Sequence, residues 1–137
     1  MNLDAKFSGQ VFRRDFVEII AQNRHLATIG PVRLENDVAG YPAGQVLAKR
    51  SSGPNSGLFC KYDNAGASGA DTAVCVLFQP VNYPEDFSGG GTGTNLSQGV
   101  FGGELLQAKL TGLDANAITD LKGRSYTDSS GIQVFKF

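Results

Sequence analysis

The sequence has few of the residues that usually carry chemistry. Its 137 residues include no tryptophan, one histidine, one methionine and two cysteines. The single histidine, His25, has no second histidine and no cysteine pair at metal-ligand spacing. The chain also lacks a Gly-x-Ser-x-Gly turn and a Cys–His arrangement, the patterns typical of nucleophilic hydrolases. We therefore expect no catalytic residues, no cofactor and no metal.

Charge and hydropathy argue against two further classes. The net charge is −1, and the 12 lysines and arginines are scattered, whereas a nucleic-acid-binding protein normally shows a basic face or run. No apolar segment approaches the roughly 18 residues that a membrane helix needs. The start "MNLDAKFSGQ" lacks the basic and apolar regions of a secretory signal, so we expect synthesis and folding in a cytoplasm.

Glycine, in contrast, is abundant, and glycines separate short apolar runs. The 18 glycines are an excess that points to many tight turns, and a hydrophobic content of 41% suits one globular domain. Runs of strand length separated by glycine-rich turns at intervals of about 8–12 residues predict an antiparallel β domain. The predicted strands are "PVRLEN", "QVLAKRS", "LFCKYD", "TAVCVLFQPV", "VFGGELLQAKL" and "GIQVFKF".

Two segments have helical spacing, and one has no evident structure. "DANAITDLKG" predicts a short helix with Asp114 as N-cap, Ile118 and Leu121 inside, and Gly123 as its end. Residues 15–26 have apolar residues at helical spacing, but their β-branched content suits a strand or ordered arm almost equally. Residues 84–99, with their run "SGGGTGT", predict a long loop, and Gly102 and Gly103 predict a bulge or bend in the strand that follows.

The two cysteines, Cys60 and Cys75, each lie inside an apolar run. We predict buried thiols on two strands, because a reducing compartment disfavours a disulfide even if the strands pair.

The polar clusters of the sequence have ordinary explanations. Glu85 and Asp86 are adjacent, and adjacent side chains usually point apart into solvent. Asp37 lies in a turn cluster. The glycine-rich loop lacks the Gly-Lys-Ser/Thr ending of a phosphate-binding loop. These features favour a binding or structural domain.

The order of the elements resembles the head decoration proteins of tailed bacteriophages, the lambda D type. "AGQVLAK" resembles the family's first strand of the β domain, "GADTAVCVLF" the next, and "SSGIQVFKF" its terminal strand. The matching segments are Ala43–Lys49, Gly69–Phe78, Gln98–Leu110, Ala117–Arg124 and Ser129–Phe137. The resemblance covers residues 38–137, with Cys75 where a glycine is common and a longer loop at 84–99.

The resemblance implies a mainly β protein: a compact antiparallel β-barrel or β-tulip-like domain over residues 38–137, with one short helix near the C-terminus. Residues 1–37 would be an extended N-terminal arm and connecting segment. It also implies a non-enzymatic cement protein on the outer surface of the expanded capsid. Trimers at threefold sites would bind the major capsid protein and stabilise the shell against DNA pressure. Phe7, Val11 and Phe12 would anchor the arm on a capsid-protein strand.

Two alternatives remain open from the residues alone. The first is a carbohydrate- or receptor-binding module with a β-sandwich fold, whose candidate rings are Tyr41, Tyr62, Tyr83 and Phe87. The absence of tryptophan weakens that alternative. The second is a small enzyme whose site would combine Asp37, Tyr83, Glu85 and Asp86.

Overall fold

The protein is mainly β, and five of its strands close into a barrel. The computed structural model describes residues 28–122, 125–128 and 131–136. The strands are β1 (Thr28–Leu34), β2 (Val46–Lys49), β3 (Phe59–Lys61), β4 (Ala73–Leu77), β5 (Asn95–Glu104), β6 (Ser125–Asp128) and β7 (Gly131–Lys136). The helix α1 (Ala115–Lys122) follows a 3₁₀ turn at Gln107–Lys109, and a short helical turn at Ser88–Gly91 precedes β5.

The barrel closes because β1 pairs with both its neighbours. The strand order is β1-β3-β2-β4-β5, and β1 also pairs antiparallel with β5 from Thr28 opposite Gly102 to Leu34 opposite Asn95. On its other side β1 pairs with β3 in parallel, at Leu34 and Phe59. The remaining barrel pairs are antiparallel. The last strand pair extends the sheet, since β7 lies parallel to the end of β5 and β6 antiparallel to β7.

Alternation along the strands divides the apolar residues between two packed layers. One layer fills the barrel and consists of Val32, Leu34, Leu47, Phe59, Cys75 and Leu77, all buried, with Tyr41, Val81 and Phe87 at one end. Gly99 faces this layer, where an added Cβ would lie 2.9 Å from Val32 Cγ1 and 3.2 Å from Cys75 Sγ. Glycine at position 99 therefore allows the strands to pack closely across the interior.

The second layer lies on the outer face of β2, β4 and β5, where α1 covers it. Val46, Val76 and Val100 are fully buried there against Ala117 and Leu121 of the helix. Helix residues four apart lie on one face, so these two helical positions both meet the sheet.

The helix begins where the sequence predicts, at Asp114. Its Oδ1 accepts a hydrogen bond from the Ala117 backbone N–H at 2.8 Å, and the Ile118 N–H bonds to its carbonyl oxygen at 3.0 Å. The same Oδ1 accepts a hydrogen bond from the Tyr62 hydroxyl at 3.0 Å. Burial, and then this bond, raise the pKa of Tyr62 to about 12. Asp114 thus joins the helix start to the chain after β3.

We expect Asp114→Ala to lower the free energy of unfolding by roughly 1–2 kcal/mol, because it removes the helix cap. Urea denaturation followed by circular dichroism measures the change. Tyr62→Phe removes the bonds of the hydroxyl to Asp114 and Asn64 but keeps the helix cap, and should have the smaller effect. Asp71→Ala, at an exposed carboxylate, should stay within about 0.5 kcal/mol of the original protein. Equal losses for Asp114→Ala and Asp71→Ala would contradict the capping role.

Proline lies at the edge of β1 where, among the strands that the structure describes, β3 pairs only at Leu34. The Glu35 N–H donates to the Phe59 carbonyl on the β3 side, so the backbone groups of Arg33, Pro31 and Ile29, by alternation, point to that same side. Pro31 therefore removes the donor from the middle of this edge. A proline at that position disfavours the addition of a further strand there.

The structure confirms the β-rich class with one short helix near the C-terminus, and it corrects several details. Five predicted strands overlap observed ones. In chain order, the predictions over residues 31–36, 45–51, 58–63, 72–81 and 131–137 correspond to β1, β2, β3, β4 and β7. β1 precedes the predicted division at residue 37 and is a strand of the barrel, while the division itself stays a prediction. The bulge predicted at Gly102 and Gly103 is supported by a register shift opposite Thr28 and Ile29.

The prediction of a structureless loop over residues 84–99 is wrong. A helical turn occupies Ser88–Gly91, and β5 begins at Asn95 because residues 95–99 pair with β1 along its length. The strand predicted up to Leu110 is also wrong beyond Leu105, where a 3₁₀ turn replaces it. The strand β6 has no predicted counterpart.

Candidate functional site

The two ends of the barrel differ, and one of them is closed by aromatic rings. Tyr41 and Phe87 are buried there with ring centroids 6.2 Å apart, and Tyr83 lies 6.0 Å from Phe87. The Tyr41 hydroxyl donates to the Glu35 carbonyl oxygen at 2.8 Å. Burial raises the pKa of Tyr41 well above its usual value, so the hydroxyl keeps the proton that it donates. Buried aromatic rings therefore close this end of the barrel.

The opposite end opens into a cleft of about 850 Å³. β2 ends there, β3 and β4 begin there, and β5 passes with Phe101. Phe59, Val74 and Phe101 form the apolar floor. The rings of Phe59 and Phe101 meet nearly edge to face, with centroids 6.4 Å apart and an interplanar angle of 80°. Val74 and Phe101 are only half-buried, so this end of the barrel is less fully covered than the other.

The rim of the cleft is polar and carries both signs of charge. The Lys49 ammonium lies 5.6 Å from the centroid of the Phe59 ring, and Asp71 lines the rim on the β4 side. The Ser51, Ser56 and Thr72 side chains contribute hydroxyl groups. An apolar floor inside a polar rim is the usual construction of a site that takes up an apolar side chain.

Arg50 holds the rim in place through Glu35. Its Nε and one terminal nitrogen donate to the two Glu35 carboxylate oxygens at 2.8 and 3.0 Å, and its other terminal nitrogen approaches the Ala67 carbonyl oxygen at 3.4 Å. This bidentate bond raises the pKa of Arg50 above its usual value. The interaction connects the end of β1, the end of β2 and the turn before β4.

A smaller groove of about 460 Å³ lies on the outer face of β1 and β5. Ile29 and Leu96 line it and are 39% and 60% exposed. Pro31 and Gln98 lie between them on paired strands. The groove is more polar and smaller than the cleft, so we regard the cleft as the main candidate site.

The predicted capsid-binding residues Phe7, Val11 and Phe12 lie outside the described residues, as do His25 and residues 15–26, for which the sequence leaves helix and strand open. The proposed roles of these residues stay predictions.

The aromatic residues suggested for ligand binding are mostly buried. Tyr41, Tyr62 and Phe87 are 2%, 7% and 3% exposed, and Tyr83 is half-buried. The four rings do not offer an exposed platform, because three of them pack into the two apolar layers. This burial removes the observation on which the carbohydrate-binding alternative depends.

Two of the acidic residues in the suggested enzyme site, Asp37 and Asp86, accept hydrogen bonds from nearby backbone N–H groups in turns. Asp37 accepts a bond from the Ala39 N–H at 2.9 Å and pairs with Lys61 at 3.4 Å. Asp86 accepts a bond from the Asn82 N–H at 2.7 Å, while Glu85 is exposed. Among the residues that the structure describes, no three His, Cys, Asp or Glu side chains are grouped as metal ligands.

The cysteine prediction is confirmed, since both are buried thiols on two strands. Those strands do not pair, because β2 lies between β3 and β4. Cys60 packs in the outer layer and Cys75 inside the barrel. Burial raises the pKa of Cys60 to about 11, so it remains a thiol of low reactivity near neutral pH.

Sequence reasoning missed the cleft, because its floor comes from three separate strands. The alternation within "LFCKY" and "VFGGE" predicts one inward ring from each, but only the strand order brings Phe59 and Phe101 together.

Comparison of the chain with family models, with curated proteins and with solved structures gives no match. No helix in the described part of the chain is long and apolar enough to span a membrane.

Proposed function

We propose that the protein is a capsid cement protein of a tailed bacteriophage. In this role it binds the outer surface of the expanded capsid, as trimers at threefold or quasi-threefold sites, and stabilises the shell against DNA pressure. Its partners are the major capsid protein and further copies of itself.

The observation that supports this proposal is the agreement between the segments that resemble the decoration family and the elements of the fold. Ala43–Lys49 contains β2, Gly69–Phe78 contains β4, and Ser129–Phe137 contains β7. Ala117–Arg124 overlaps α1, and Gln98–Leu110 covers the second half of β5 with the 3₁₀ turn. The resemblance therefore follows the order of the elements and does not rest on isolated glycines.

The architecture also suits a structural role physically. The barrel has two packed apolar layers, and Pro31 interrupts the edge of β1 that faces β3. A shell protein at high local density benefits from such an edge, because uncontrolled strand addition would lead to aggregation. Symmetric assembly lets many weak contacts act together through avidity.

The test is co-sedimentation with expanded capsids. We expect removal of residues 1–14, or the double change Phe7→Asp and Phe12→Asp, to abolish binding, because the arm would lose its apolar anchors. Leu96→Asp is the control, since it places one such negative charge on an exposed apolar position of the barrel.

Unchanged binding by the truncated chain would exclude the arm mechanism. Failure of the full-length protein to bind any expanded capsid would exclude the cement role itself. Light scattering after size exclusion, at low and high concentration, shows whether trimers of three times the chain mass form before docking.

A further inference from the structure

The helix α1 covers only part of the outer face of the barrel. Val100 of β5 is fully buried beside the helix, whereas Gln98 and Leu96, two and four positions earlier on the same face of the strand, are exposed. Their neighbours on the outer face of β1 are Ile29 and Pro31, and Pro31 pairs directly with Gln98. The side chains of Ile29, Pro31, Leu96 and Gln98 form what we call the outer strip, which lines the groove of about 460 Å³.

The outer strip carries apolar and amide groups without formal charge. Ile29 and Leu96 are 39% and 60% exposed, and they are two of the three exposed large hydrophobic side chains in the described part of the chain. The described residues that line the groove are all uncharged: Ile29, Gly30, Pro31, Gln79, Leu96, Ser97 and Gln98. A glutamine amide holds both a donor and an acceptor, so it can bond to another copy of itself, whereas a charged group would repel its own copy. The strip is therefore chemically complementary to itself.

We propose that the outer strip binds the outer strip of a second copy of this chain, in a twofold contact between two sheet faces. In such a contact the same surface serves both partners, so each pair of contacting residues occurs twice. Pro31 and Gln98 lie opposite each other in the middle of the strip. With the axis in the contact plane and crossing the strands at these two residues, Ile29 of one copy contacts Leu96 of the other. Both exposed apolar side chains of each copy are then buried.

The position of Arg33 favours this orientation of the two copies. Arg33 lies opposite Leu96 at one end of the strip, and its guanidinium donates to Thr94 Oγ1 at 3.1 Å. Ile29 is four residues away at the other end, which is about 13 Å at roughly 3.3 Å per residue. The proposed axis places the two Arg33 side chains at opposite ends of the contact, farther apart than the Debye length of about 8 Å at physiological salt. An axis along the strands would place both at the same end, where they would repel.

The contact is small, so we expect weak association, with a Kd on the order of 1 mM. Samples at micromolar concentration, such as those used for urea denaturation, then remain dissociated. The inference does not depend on the capsid role, because that role assigns capsid binding to residues 1–14 and not to the outer strip.

Amide chemical shifts of the full-length chain, recorded in a dilution series from about 2 mM to about 50 μM, test the proposal. The signals of Ile29, Ser97 and Gln98 should move along one association curve. Leu96→Asp should raise the Kd of that curve at least about tenfold, because it places a carboxylate against Ile29 of the other copy. Val38→Asp is the matched control, since it puts the same charge on an apolar side chain that is 74% exposed and lies outside the strip, and it should leave the curve unchanged. A dispersed spectrum shows that each variant is folded.

The double variant Ile29→Lys with Leu96→Asp tests the orientation. Within one chain the two positions lie about 13 Å apart along the strands, too far to pair with each other. Across the proposed axis the introduced ammonium of one copy meets the introduced carboxylate of the other, so the association lost in Leu96→Asp should return.

Three results would overturn the proposal: shifts in the strip that do not depend on concentration, an unchanged curve for Leu96→Asp, or no recovery in the double variant. None of them affects the co-sedimentation test, in which Leu96→Asp keeps residues 1–14 and should still bind capsids.

Discussion

Gly69→Ala is expected to be among the most destabilising single-methyl additions in the barrel, lowering the free energy of unfolding by roughly 3 kcal/mol. Gly69 has φ +90°, a conformation that residues with a Cβ rarely adopt. An added Cβ would also overlap the Lys49 carbonyl oxygen and lie 3.0 Å from the Ser51 nitrogen. These are backbone atoms next to the Ser51–Ser68 hydrogen bond, so they cannot move aside without breaking it.

Gly57→Ala is the matched control for this change. Gly57 has nearly the same φ, +88°, and also lines the cleft, but an added Cβ would have no atom within 4 Å. Gly57→Ala should lower the free energy of unfolding by only about 1 kcal/mol, because it carries the cost of the positive φ but no steric overlap. Urea denaturation gives both values, and the difference between them measures the overlap alone. Equal losses at the two positions would show that the turn before β4 can shift to accommodate the methyl group.

The sequence predicts these turns, but it does not predict that one glycine tolerates an added methyl group better than the other. Glycines between apolar runs indicate where the chain reverses, and the strands at "QVLAKRS", "LFCKYD" and "TAVCVLFQPV" follow from that punctuation. Gly57 and Gly69 look alike in the sequence. Only the approach of the chain at Lys49 and Ser51 distinguishes them, and that approach comes from pairing between distant residues.

Local sequence patterns do not predict the closure of the barrel, for the same reason. Residues 95–99, "NLSQG", have the composition of a loop, yet they pair with β1 from Gly30 to Leu34. A partner more than sixty residues away in the chain supplies the hydrogen bonds that make this segment a strand. The helix at Ala115–Lys122 was predictable because its cap, Asp114, and its buried face lie within one local stretch.

The candidate site illustrates this limit further. The sequence directs attention to rings in turns, such as Tyr41 and Phe87, and to paired acids, such as Glu85 and Asp86. In the fold the rings seal one end of the barrel, and Asp86 completes a turn. The open cleft is built from Phe59, Val74 and Phe101, which read as ordinary strand residues until the strands are arranged around a common axis.

Leu47→Ala is the second change expected to have a large effect, a loss of about 3 kcal/mol in the free energy of unfolding. Leu47 lies on β2 between β3 and β4, is fully buried and belongs to the layer that fills the barrel. Truncation removes the apolar contacts and leaves a cavity. The backbone has little freedom to collapse around that cavity, because β2 is paired with β3 on one side and β4 on the other.

Leu96→Ala removes the same atoms from an exposed position on β5, where the side chain is 60% exposed. It should change the free energy of unfolding by less than about 0.5 kcal/mol. Denaturation in urea compares the two variants, and an unchanged slope with denaturant shows that both still unfold from the same compact state. A small loss for Leu47→Ala, comparable with that for Leu96→Ala, would mean that the interior can repack around the missing side chain. The barrel would then be a more deformable scaffold than its closed hydrogen-bonding pattern implies.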